Sequence, residues 1–118
     1  MPDEIIEIVI TAPDEEWLVA FTRRLIEQHL AAAGHHTTIR SLYTWNGETH
    51  DRGETRVALH TRALLFDTIA SITADQHPYE VPCVIAVPVI DASDSYRSWV
   101  LDSTRSPSHS VPEPAGQA

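Results

Sequence analysis

The sequence predicts an α+β domain of the ferredoxin-like type, running β-α-β-β-α-β with one helix added at the C-terminal end and one four-stranded antiparallel sheet. Three observations carry this. Four stretches of strand length are rich in β-branched and apolar residues. Two segments with apolar residues at helical spacing separate the first stretch from the second and the third from the fourth. An Asn-Gly pair, the strongest short hairpin signal, lies between the second and third.

The first strand is expected over Glu4 to Thr11, where Ile5, Ile6, Ile8, Val9 and Ile10 are interrupted only by Glu7. β-branched residues fit a pleated, half-buried surface. Pro13 suits a first helical turn, and Asp14, Glu15 and Glu16 lie against the positive end of the helix dipole. Trp17, Leu18, Phe21, Leu25, Ile26 and Leu30 then recur at helical spacing, and Gly34 is the expected stop, giving about five turns by length. His35 to Trp45 reads as the second strand. Asn46-Gly47 opens a turn that Asp51-Arg52-Gly53 extends into a polar loop, and Thr55 to His60 follows as the third strand. A second helix begins after Thr61, with Leu65, Ile69 and Ile72 on one side, and must end by Pro78. Cys83 to Ile90 is the fourth strand, with Pro88 removing a ladder donor. A short helix capped by Ser93 or Asp94 carries Tyr96, Trp99 and Val100.

The 118 residues suit one domain, placed at 1–104, followed by a disordered tail over 105–118 that holds three of the eight prolines. Eight basic residues, all arginine, stand against 17 acidic ones, a formal charge of −9. That balance argues against a nucleic-acid or anionic-membrane partner. No apolar run approaches the roughly 20 residues of a membrane span, and Met1-Pro2-Asp3-Glu4 lacks a basic signal-peptide start, so a cytoplasmic protein is expected. A single cysteine, Cys83, excludes an internal disulfide framework. No Ser or Cys stands beside a base and no acid pair has a telling spacing, so a non-enzymatic role is expected. Both faces of so apolar a sheet need cover, which points to an oligomer.

Three motifs are specific. Thr11-Ala12-Pro13-Asp14-Glu15 follows the first strand, and Ser41-Leu42-Tyr43-Thr44-Trp45-Asn46-Gly47 forms the hairpin. His77-Pro78-Tyr79-Glu80-Val81-Pro82 runs into Val84-Ile85-Ala86-Val87-Pro88-Val89. Together with Tyr96-Arg97-Ser98-Trp99, these resemble the CutA divalent-cation-tolerance family over roughly residues 5 to 104. The resemblance implies a tight homotrimer, related in architecture to the PII signalling proteins, and a link to tolerance of copper and other divalent metals. It also exposes departures. A cysteine common in the family at the end of the first helix is missing from Leu30-Ala31-Ala32-Ala33-Gly34, Ile10 stands where some members have another, and His60-Thr61 replaces a Lys-Thr pair. Thiolate binding of Cu(I) at those positions is unavailable, leaving imidazole and carboxylate donors.

The candidate metal ligands for copper or zinc are His77 and Glu80, with Cys83 as a soft neighbour outside the family's cysteine positions. Each has a plainer alternative. His77 can cap the second helix, Glu80 can pair with an arginine across a subunit boundary, and Cys83 can be a small core hydrophobe. His35 and His36 point to opposite faces of their strand, so only one can meet His60 across the hairpin. Tyr43, Trp45, Tyr79, Tyr96 and Trp99 suit core and interface packing. A competing function is a PII-like sensor with a small anionic ligand or nucleotide in an intersubunit cleft, held by Arg40, Arg56 and Arg62. A third is a trimeric scaffold without a ligand.

Overall fold

The computed structural model describes residues 4–106. The elements are β1 (Ile5–Ala12), α1 (Glu15–Glu27), β2 (Ala33–Trp45), β3 (Glu48–Arg62), α2 (Phe66–Gln76), β4 (Val84–Pro88) and α3 (Asp94–Ser103), with a single 3₁₀ turn at Ala63–Leu65 before α2. The sheet order is β2-β3-β1-β4, and every neighbouring pair is antiparallel. This is the expected ferredoxin-like arrangement with its added helix.

One face of the sheet carries the core. Ile6, Ile8, Ile10 and Ala12 of β1 alternate inward beside Val57 and Leu59 of β3, and Leu18, Phe21 and Leu25 of α1 close over them with Leu65 and Ile69. The opposite face is framed by the register rows His35–Ala58–Val9–Ile85 and Ala33–His60–Glu7–Val87.

Three boundaries differ from expectation, each for a local reason. Helix α1 starts as expected, with Asp14 Oδ1 accepting from the Glu16 N–H at 3.2 Å. It stops at Glu27, well before Gly34. His29 takes a left-handed conformation (φ 61°), while the His29 N–H bonds to the Ile26 carbonyl and the Leu30 N–H to the Leu25 carbonyl. That is a Schellman cap made by histidine in place of glycine. Second, Asp51-Arg52-Gly53 is not loop. Asn46 (φ 54°) and Gly47 (φ 77°) alone form the two-residue turn, and Arg52 pairs with Ser41 inside β3. Since β1 reaches only Thr55 of β3, residues 39–54 form a two-stranded ribbon projecting beyond the sheet. Third, β4 spans only Val84–Pro88, and Cys83 is exposed rather than a core hydrophobe. The expected tail falls outside the described residues from 107 onward; Arg105 is tied down, its N–H donating to the His29 carbonyl at 2.8 Å.

Gly34 has a different task from ending a helix. A Cβ there would stand 2.6 Å from Thr22 Cγ2 on α1, and 3.2 and 3.3 Å from the Val57 and Leu59 side chains. The residue lets α1 lie close on β2. Gly34→Ala is expected to cost about 1–3 kcal/mol as overpacking. Thr22→Ser, which removes the nearest carbon, should restore part of that loss. Urea unfolding of the two single variants and the double variant measures the coupling.

Candidate functional site

The projecting ribbon and the segment 78–83 enclose a cleft of about 990 Å³, its walls supplied by Tyr43, Trp45 and Arg52 from the ribbon and by Tyr79, Glu80 and Cys83 opposite. The volume is at the upper end for a small-molecule site. The ribbon supplies side chains to it because alternate residues of a strand share a face. Tyr43, Trp45, His50 and Arg52 all come from that face, and the Tyr43 and His50 rings stack with centroids 5.2 Å apart.

His77 lies beneath this cleft rather than on it. It caps α2, donating its N–H to the Thr73 carbonyl at 2.8 Å. The residue is only 8% exposed, and its ring meets Trp17 edge-on at 5.1 Å. Nε2 faces the Thr11 carbonyl at 2.8 Å and so carries the proton, while Nδ1 accepts from the Tyr79 N–H at 3.0 Å. The ring's one lone pair is spent. His77 therefore joins the end of β1 to the turn that follows α2, and the imidazole offers nothing to a metal without giving up a backbone bond. Glu80 and Cys83 are both exposed and line the cleft, whereas His77 does not. Among the described residues, no three His, Cys, Asp or Glu side chains converge to hold a metal ion.

Tyr79 organises the cleft floor. Its hydroxyl donates to Glu54 Oε2 at 2.7 Å and accepts from Arg52 Nη1 at 3.3 Å; the same Nη1 reaches the Tyr43 hydroxyl at 3.4 Å. Burial, and then the hydrogen bond to the Glu54 carboxylate, hold the Tyr79 phenol above its ordinary range, so it remains a donor. Glu54 itself is 7% exposed. Neither Arg52 nor Glu54 was among the expected site residues. Arg52 was hidden by the turn-like Asp-Arg-Gly run, and Glu54 has no local signal that predicts its burial.

Within one protomer the arginine trio expected at an intersubunit cleft is spread apart. Arg40 is held by both oxygens of Asp51, at 2.9 and 2.8 Å, on the exposed ribbon. Arg62 clamps the end of α3, donating to the Leu101 carbonyl at 2.7 Å and to Thr104. Arg56 lies six residues from Arg62 on β3, roughly 20 Å along the strand.

The histidine pair forms as a ring contact. His35 meets His60 edge-on at 5.0 Å. His60 Nε2 bonds Glu7 Oε2 of β1 at 2.9 Å, and Nδ1 bonds the Tyr96 hydroxyl, so one nitrogen links β3 to β1 and the other ties α3 to the sheet face. His36, on the other face, has Nδ1 buried without a hydrogen-bond partner among the described residues, and desolvation lowers its pKa.

The profile of the family described as CutA1 divalent ion tolerance protein matches residues 6–103. The protein named CutA of Homo sapiens is 30% identical over 112 residues, covering 94% of this chain and 63% of its own length; the bovine protein of the same name is covered over 60% of its length. The divalent-cation tolerance protein CutA of Pyrococcus horikoshii is 28% identical, covering 86% of this chain and 99% of its own. Among solved structures, CutA1 from Oryza sativa superposes with a TM-score of 0.83 at 30% identity, covering 86% of this chain and 94% of that one.

Proposed function

Because the chain belongs to the CutA1 divalent ion tolerance family, we propose that it acts in the response to divalent metal ions as a non-enzymatic homotrimer. The observation that carries this reading is the family match over nearly the whole described fold, residues 6–103. The edge strand β4 supports an assembly: on the face away from the helix-covered core, Ile85 is 51% exposed and Val87 37%.

Among the described residues, no group of side chains fits a resident metal centre. What one protomer offers a copper or zinc ion is the exposed pair Glu80 and Cys83, a carboxylate and a thiol on one wall. Two donors support weak, exchangeable binding, whereas a structural zinc site takes about four.

Light scattering together with calorimetric titration of Cu(II) and Zn(II) tests this. The expected mass is three chains. Weak saturable metal binding is expected to weaken about tenfold, worth ~1.4 kcal/mol, in Cys83→Ser and in Glu80→Gln. A one-chain mass, no binding, or tight binding that survives both substitutions would overturn the reading.

A further inference from the structure

We propose that the cleft between the ribbon and segment 78–83 binds a flat aromatic anion, a ring or heterocycle carrying a carboxylate or phosphate, with Arg52 as the anion fork. The inference goes beyond the metal reading and does not depend on it.

The partners of Arg52 point to it. Arg40, on the same ribbon, is held by both oxygens of Asp51 with two short bonds. Arg52 is not so held. Its hydrogen-bond partners are two phenol hydroxyls, those of Tyr43 and Tyr79, and both are reached from a single nitrogen, Nη1. The nearby carboxylate of Glu54 is taken by the Tyr79 hydroxyl instead. Nη2 and Nε have no acceptor among the described residues, so the guanidinium keeps its full charge and an edge able to meet two anionic oxygens. The two tyrosines orient that edge before any ligand arrives, which reduces the entropy lost on binding.

Aromatic surface surrounds the charge. The stacked Tyr43 and His50 rings lie within 10° of parallel, at 9°, and Trp45 is 39% exposed on the same wall. Stacking on such surfaces favours a planar ligand body, while the guanidinium selects its charge. A metal ion uses neither feature. A neutral aromatic uses only the first.

The test uses the full chain in EDTA, so that failure here is independent of any metal binding. Adenosine monophosphate and indole-3-carboxylate are titrated calorimetrically, with adenosine and indole as neutral controls. Saturable binding of at least one anion is expected, weakened about tenfold or more in Arg52→Gln because a charge-assisted bond is lost. Arg23→Gln, an exposed arginine of α1 that does not line the cleft, should bind like the parent. The two anions distinguish a phosphate-bearing from a carboxylate-bearing ligand. A second readout is Cys83, whose exposed thiol shares the cleft: the bound anion should slow its alkylation by iodoacetamide. The proposal is overturned if neither anion binds, if Arg52→Gln binds as well as the parent, or if the neutral controls bind as well as the anions.

Discussion

His77→Ala is expected to cost about 3 kcal/mol of stability in EDTA solution, where no metal contributes. The substitution leaves the Thr11 carbonyl and the Tyr79 N–H without the partners they have at 2.8 and 3.0 Å. Each buried group left unmade costs about 1–3 kcal/mol. The ring's edge-on contact with Trp17 is lost as well. His77→Gln should recover part of the loss, since its amide supplies one donor and one acceptor. Urea unfolding at fixed protein concentration measures this, because assembly makes stability concentration-dependent. A ligand role predicts the reverse pattern: little change in EDTA, and loss of metal binding by the folded variant. A cost below about 0.5 kcal/mol, the range of an ordinary surface substitution, would defeat the capping account.

How legible the fold was depended on how local its causes are. The strand Ile5–Ala12, the Asn46-Gly47 turn and the Ser93 cap of α3 follow from residue types at fixed spacing, and the structure has all three. The end of α1 follows from a contact instead. His29 adopts a left-handed conformation that sequence reasoning assigns to glycine, while Gly34 is needed for the close approach of Thr22 across 12 positions of chain. The ribbon was masked by composition: Asp-Arg-Gly looks like a turn, but paired strands tolerate it where both faces meet solvent. Candidate site residues divided in the same way. His77 was identifiable as a special residue, but which of its two readings applies depended on Thr11, 66 residues away. Arg52 became notable only when its partners proved to be phenols, a fact that no local pattern encodes. Cys83 sits at the start of an apolar run, yet β4 begins one residue later and leaves the thiol outside.

Ile85→Asp is expected to reduce the proposed three-chain assembly to single chains at micromolar concentration without unfolding them. The reasoning starts from the two faces of one sheet. On the helix-covered face, Val84 packs against the core; Ile85, one residue on, points the other way and is 51% exposed. It stands next to Val9 in the register, and Val9 stands next to Ala58; those two are already buried, and Ile85 extends their apolar row to the exposed edge strand. Proteins blunt such edges and faces most often with lysine, and this chain has none. Covering an isoleucine stabilises an interface by about 1.5–3 kcal/mol, whereas burying an unpaired carboxylate costs several kcal/mol even after relaxation. In a cyclic assembly each substitution recurs in every copy, so its effect is multiplied by symmetry. Within the protomer the side chain is half exposed and lies on the face away from the helix-covered core, and the far-ultraviolet circular dichroism should be preserved. Light scattering on the parent and the variant decides the matter. Three chains in both would move the interface off this face, and one chain in both would remove the reason for its apolar surface.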